Sequence, residues 1–139
     1  MRFDAILRIA TKIFLPLVLL FGFYVQFHGD YGPGGGFQAG VIVAAGFILY
    51  GLIYGLTALM RIVPPGLVET LVPLGVAIYA GTGVAGWLTG GNYLDYSRLL
   101  EDMHLAQETG VFLVELGVLV TVSSTMLAIF YAFAGRDRA

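Results

Sequence analysis

Residues 37–60 read FQAGVIVAAGFILYGLIYGLTALM and contain no Asp, Glu, Lys or Arg. The hydrocarbon core of a bilayer is about 30 Å thick, and an α-helix needs roughly 20 apolar residues to cross it. A helix buried in a soluble protein usually has an apolar run of only about 10–14 residues. The stretch therefore predicts a transmembrane helix.

Three further runs have a similar length and composition, at about 10–27, 68–88 and 109–134. None of them shows the strict alternation of apolar and polar residues that is typical of a strand in a membrane β-barrel. The sequence thus predicts an all-α integral membrane protein with four transmembrane helices, which form a single domain over residues 1–139.

The two connections at 28–36 and 89–108 are expected to be outer loops of this domain. The second loop is expected to contain a short interfacial helix near Tyr96–Met103. The run at 10–27 has the basic start of a signal peptide, but no small-residue cleavage site follows Val25. We therefore interpret the run as a span that stays in the mature protein.

Composition excludes several classes of function. Of the 139 residues, 58% are hydrophobic and 12% charged, whereas average soluble domains contain about 25% charged residues. The net charge of −2 leaves no basic surface for a nucleic acid. The absence of cysteine excludes disulfides and thiolate chemistry, and with only two histidines we predict neither a metal site nor a cofactor.

The placement of basic residues predicts how the chain is oriented. Apart from Arg98, they lie near the two chain ends or directly after the second span: Arg2, Arg8, Lys12, Arg61, Arg136 and Arg138. Cytoplasmic loops of membrane proteins carry an excess of Lys and Arg. Both termini and the link 61–67 are therefore expected in the cytoplasm.

Small residues are dense on the second and third spans, and Gly51 and Gly55 form a small-xxx-small step. In lipid, helices associate through close van der Waals contact, which small side chains permit. We interpret these faces as contacts with partner subunits. Pro16 and Pro73 are expected to kink their helices, whereas Pro64 and Pro65 mark a turn.

The first outer connection contains an unusual motif, which consists of Pro33, Gly34, Gly35, Gly36, Phe37, Gln38 and Gly40. Consecutive glycines free the backbone of Cβ constraints, so it can turn tightly or approach another chain closely. The segment lacks the lysine of a nucleotide-binding loop and a preceding strand. A tight turn between helices and a contact with another chain both remain open as explanations.

With His28 and Gly29, this motif resembles the signature of the MnhB/MrpB family, one of the small subunits of multisubunit Mrp-type Na⁺/H⁺ antiporters. The residues from Glu108 to Leu113, ETGVFL, are similar to the start of the family's last helix. The resemblance covers nearly the whole chain. One departure is Asp30, at a position where members often have a second histidine.

The resemblance implies a function that composition cannot supply. These complexes exchange cytoplasmic Na⁺ for external H⁺, and their large subunits are thought to carry the main ion pathways. The chain is therefore expected to be an accessory subunit in the lipid bilayer, with the other subunits of the complex as partners. It is expected to assist assembly and to contribute one wall of an ion or proton path, and no enzymatic reaction is implied.

Glu115 is the main candidate for that path because a charged group within a membrane span is costly and often functional. Glu108 and Ser123 lie seven residues before it and eight after it, on nearly the same helical face. The three side chains are a candidate wall of the path. The alternative is that Glu115 makes one structural hydrogen bond to a partner subunit, either protonated or paired.

Further candidates lie near the helix ends. His28 and Asp30 are expected to collect external protons, or else to order the glycine loop through a hydrogen bond. Glu69 begins the third span, where the helix dipole favours a carboxylate, and an interface role is the second explanation.

Two other functional classes stay open at this stage. One is the equivalent subunit of an ion-pumping membrane-bound hydrogenase or a related respiratory complex. The other is a small channel or transporter that associates with copies of itself. The proteins that remain bound after mild detergent extraction would discriminate between them.

Overall fold

The computed structural model describes residues 2–28, 34–97 and 99–136. Within these ranges it contains helices and no strand. The helices are α1 (Arg2–His28), α2 (Gly36–Tyr54), α3 (Leu56–Ile62), α4 (Pro65–Leu88) and α5 (Met103–Ala134). All except α3 are long and apolar enough to cross a membrane, which confirms the predicted all-α class with four membrane helices.

Helix α1 begins at Arg2, eight residues before the expected start of the first span. The extra turns carry polar residues such as Asp4 and Arg8, and no proline or glycine interrupts them. The expected span described only the apolar part of a longer helix. Pro16 lies inside this helix.

The second apolar run is not one continuous helix, as its length had suggested, but is broken at Gly55. This residue has φ 97° and ψ 154°, a conformation that residues with a Cβ rarely adopt. Gly51 faces the side chains of Leu59 and Phe130, whereas Gly55 has no neighbour within 4 Å of its missing Cβ. The interpretation of Gly51 and Gly55 as a helix contact step is therefore wrong for Gly55, which breaks the helix.

Helix α3 packs back onto the end of α5. Leu56 and Leu59 are buried in a cluster that also contains Val68, Leu127 and Tyr131. Helix α3 ends before Val63, and Pro64 and Pro65 then start α4. Proline is favoured at the first helical position because its missing N–H would have no partner there, so the two prolines mark the turn as predicted.

The segment between α4 and α5 is shorter than the expected loop 89–108, because α5 already begins at Met103. Asp102 caps α5 by accepting a hydrogen bond of 3.0 Å from the His104 N–H. The expected interfacial helix near Tyr96–Met103 is wrong, since the described residues before Met103 form turns and bends. The Asp95 carboxylate accepts from both the N–H and the hydroxyl of Ser97, which favours a turn.

The long helices pack as an open row, in which α1 contacts α2, α2 contacts α5, and α5 contacts α4. Helix α2 is the most buried of the four and α1 the least. Gly75 of α4 and Gly117 of α5 lie against each other's main chains, which brings these two helices into close contact. The row places the N-terminus of α2 between α1 and α5, where the candidate site lies.

Candidate functional site

The first turn of α2 lies directly on the main chain of α5 at Glu115. A Cβ on Gly36 would overlap the carbonyl group of Glu115 and would lie 3.0 Å from its Cα. One turn later, a Cβ on Gly40 would lie 2.9 Å from Cβ of Val122. The two motif glycines therefore allow α2 and α5 to approach more closely than any larger residues would.

The Glu115 carboxyl group lies beside the N-terminus of α2. An ideal Cβ on Gly35 would lie 3.5 Å from Glu115 Oε1 and 3.2 Å from Gln38 Oε1, so both oxygens approach the same point. Gly35 is the N-cap of α2, and it cannot donate or accept a capping hydrogen bond through a side chain. The partial positive charge of a helix N-terminus therefore lies next to a carboxyl group.

Gln26 of α1 belongs to the same region. Its side chain is only 2% exposed, and neither its amide oxygen nor its amide nitrogen has a hydrogen-bond partner. Leaving a buried polar group unpaired costs about 1–3 kcal/mol. We call Gln26, Gly35, Gly36, Gln38 and Glu115 the Glu115 junction.

The contacts of the two residues that flank Gln26 show at which height along α5 it lies. Val25 packs in a buried cluster with Ala39 and Leu119, and the Phe27 ring stacks on Phe112 with 5.6 Å between ring centroids. Phe112 and Leu119 lie three residues before and four residues after Glu115, about one helical turn each way. Gln26 is therefore buried at the height of Glu115.

Sequence reasoning identified Glu115 but missed Gln26. A signal was present, because Gln26 is the one amide side chain in the first apolar run. A polar residue within a membrane helix is costly and usually faces the protein interior. The sequence could not show which other helices surround it.

The other two members of the proposed wall have different surroundings. Glu108 is exposed in the second turn of α5. The Ser123 hydroxyl donates to the Leu119 carbonyl oxygen at 2.8 Å, within its own helix. Ser123 also lines a cavity of about 190 Å³ between α2, α4 and α5. At 1.5 Å per residue, Ser123 lies about 12 Å along α5 from Glu115, so the structure does not bring the three side chains into contact.

The remaining candidates lie outside the Glu115 junction or beyond the described residues. His28 lies in the last turn of α1, where its ring stacks on Tyr24 at 5.0 Å. Glu69 is exposed near the start of α4 and lines a cavity with Tyr131. Asp30 and Pro33 lie outside the described residues.

Two of the described motif residues are exposed. Phe37 is 61% exposed and Gln38 is also exposed, whereas Gly36 and Gly40 are buried against α5. Phe37 and Gln38 therefore remain the motif residues that are available for a contact with another subunit, and Gly34 is intermediate in exposure.

The segment between α4 and α5 folds back onto these two helices. The Tyr96 ring occupies the space where a Cβ of Gly110 would lie, and the Tyr93 ring does the same at Gly83. Burial raises the pKa of the Tyr96 phenol, and nearby Tyr79 and Tyr93 add to this effect. The phenol therefore stays neutral at physiological pH and acts as a packing group.

Comparison with known proteins identifies relatives over most of the chain. The MnhB family, described as a domain related to the MnhB subunit of Na⁺/H⁺ antiporter, matches residues 6–128. A Staphylococcus haemolyticus protein (strain JCSC1435) that carries the name antiporter subunit mnhB2 is 34% identical in an alignment over 138 residues that covers 95% of each chain. A Na⁺/H⁺ antiporter subunit of Bacillus subtilis (strain 168) is 31% identical over 133 residues, covering 88% of this chain and 92% of the relative.

Proposed function

The chain belongs to the MnhB family of Na⁺/H⁺ antiporter subunits, and from this premise we propose that it is an accessory subunit whose Glu115 junction forms one wall of a proton or cation path. It is a multi-pass cell membrane protein, and other antiporter subunits are its partners. In the proposed exchange, cytoplasmic Na⁺ leaves as external H⁺ enters.

The accessory role is supported by how few charged groups lie inside the described helices. Lys12 and Glu69 are exposed, and so is Glu108. Glu115 is the one described Asp, Glu, Lys or Arg that is partly buried within a membrane-length helix. A complete route across a membrane needs a series of polar groups or waters, so the rest of the route belongs to the partner subunits.

The observation that best supports this proposal is the position of the Glu115 carboxyl beside the first turn of α2. The group is partly buried where α2 and α5 meet. A carboxyl group can take up and release a proton, which is what a step in a proton path requires.

The experiment replaces Glu115 with glutamine, which keeps the shape and removes the exchangeable carboxyl proton. We expect Glu115→Gln to leave the complex assembled and to lower Na⁺-dependent H⁺ exchange by about 100-fold or more, the lower end of the usual range for the loss of a proton-transfer group. Exchange is measured in inverted membrane vesicles with a pH-sensitive dye, and assembly by co-purification of the other subunits.

Glu101→Gln is the matched control, because Glu101 is an exposed carboxylate outside the helices. It should exchange like the wild type. Wild-type exchange by an assembled Glu115→Gln complex would show that the carboxyl is not part of the path.

The proposed orientation places both termini and the turn between α3 and α4 in the cytoplasm. The basic residues of the chain ends and of α3 support it, because cytoplasmic segments carry the excess of Lys and Arg. The Glu115 junction then lies in the outer half of the membrane, where external protons would arrive.

A further inference from the structure

The Gln26 side chain is the least explained polar group in the described structure. It is only 2% exposed, and both of its polar atoms lack a protein partner. By contrast, the buried hydroxyls of Thr11 and Thr82 each donate to a carbonyl one turn earlier in their own helix. Neither polar atom of Gln26 has such a bond, so a group outside the described residues must satisfy the amide.

We propose that the Gln26 amide binds an internal water molecule in the Glu115 junction, and that this water links the amide to the Glu115 carboxyl. The assignment of a water site depends on the geometry alone. Its role in moving protons rests on the proposed function of Glu115.

The chemistry of the amide selects water over other small ligands. The amide has a donor nitrogen and an acceptor oxygen, and both are unpaired. A cation would engage only the oxygen, and an anion only the nitrogen, beside a carboxyl that repels it. A water molecule both donates and accepts, and buried waters typically make about three hydrogen bonds to such otherwise unpaired groups.

The position of the amide fits a link to Glu115. Phe27 stacks on Phe112, and Val25 packs near Leu119, so contacts on both sides of Gln26 enclose the turn of α5 that carries Glu115. Gly35 and Gly36 also meet this turn, and neither carries a side chain. A water held by Gln26 extends the proton route from α5 towards α1.

The first test is the density map of the assembled complex, at a resolution that shows ordered water. We expect a peak without protein assignment at hydrogen-bonding distance, about 2.7–3.2 Å, from an amide atom of Gln26. Two results would overturn the proposal. In one, the amide bonds directly to protein groups and no such peak is present; in the other, the amide has no hydrogen-bonding neighbour at all.

The second test uses Gln26→Met, which keeps the length of the side chain and removes its polar atoms. If the amide holds a water in the route, the variant complex assembles but exchanges Na⁺ for H⁺ about tenfold more slowly, which corresponds to a rise of about 1.4 kcal/mol in the barrier of one step. Thr11→Val is the matched control, because Thr11 is a buried polar residue of α1 that is bonded within its own helix. It should exchange like the wild type.

The two proposals fail in different ways. If Glu115→Gln abolishes exchange while Gln26→Met exchanges normally, the link through Gln26 is wrong and the function of Glu115 stands. If Glu115→Gln exchanges normally while the water peak is present, the water site stands and its role in the proton route is wrong.

Discussion

At the scale of single residues, Gly36 controls how closely the Glu115 carboxyl approaches α2. The glycine lies on the main chain of Glu115, so the distance between α2 and α5 is set by backbone contact. Main-chain atoms cannot rotate away as the end of a side chain can. The geometry of the Glu115 junction therefore depends on the absence of one Cβ.

We predict that Gly36→Ala destabilises the protein, because the new methyl group must push α2 away from α5. Overpacking of this kind costs about 1–3 kcal/mol, more than the roughly 0.5–1 kcal/mol by which alanine improves on glycine within a helix. The measurement is the thermal unfolding of the purified complex in detergent.

Gly81→Ala is the control for this prediction, since a Cβ at Gly81 of α4 would meet nothing within 4 Å. It should leave stability unchanged or raise it slightly. Equal unfolding temperatures for the Gly36→Ala and Gly81→Ala complexes would contradict the close contact at Gly36.

Single residues also show where sequence reasoning works and where it stops. Glu115 could be identified because a carboxylate in an apolar run is chemically costly wherever the helices lie. Its neighbours Gly35 and Gln38 could not, because their proximity depends on how the helices are rotated about their axes. Helical periodicity predicted a similar face for Glu115 and Ser123, but it did not show that they lie in separate surroundings.

At the scale of elements, the break at Gly55 creates the short helix α3 and with it a second buried cluster. The Tyr131 hydroxyl of α5 donates a hydrogen bond of 2.7 Å to the carbonyl oxygen of Val63, directly after α3. This contact joins residues that are far apart in the sequence and ties the α3–α4 turn to the end of α5.

We predict that Tyr131→Phe lowers the free energy of unfolding by about 1–3 kcal/mol, because it removes a buried donor and leaves the Val63 carbonyl without it. Tyr54→Phe is the control: its hydroxyl donates to the Arg8 carbonyl at 2.8 Å, but in an exposed position. Thermal unfolding of the two variant complexes measures the difference, and an equal loss in both would show that burial does not strengthen the Tyr131 contact.

The lengths of the helices were easier to predict than their interruptions. Apolar length alone predicts four membrane helices, because the bilayer sets the minimum. The sequence could not show that Gly55 breaks the helix. A glycine that breaks a helix and a glycine that only allows close packing look identical in an apolar run. The described residues between Tyr96 and Met103 form no helix. The bonds from Ser97 to Asp95 favour a turn at the start of this segment, and residue preferences alone did not reveal them.

At the scale of the whole molecule, the open row of helices leaves wide apolar faces. Large apolar side chains of α1 are exposed along most of its length, among them Ile13, Leu17 and Leu20. Most of the small residues, in contrast, serve contacts within the chain: Gly40, Gly46, Gly51 and Gly75 each face a neighbouring helix. The density of small residues is therefore weaker support for partner subunits than we expected, and family membership is stronger support.

The orientation of the row can be tested with single cysteines, because the chain has none. Asn92→Cys lies in the exposed segment between α4 and α5, and Gly66→Cys lies in the exposed first turn of α4. A membrane-impermeant maleimide should label the first in intact cells and the second only in inverted vesicles. The opposite pattern would reverse the proposed topology.

The central claim is that this chain contributes to Na⁺/H⁺ exchange only as part of a complex. The most direct measurement compares two sets of proteoliposomes, one with the purified chain alone and one with the complex extracted in mild detergent, under the same Na⁺ gradient. We predict Na⁺-dependent H⁺ movement with the complex and none above empty liposomes with the chain alone. Exchange by the chain alone at a rate comparable to that of the complex would contradict the claim.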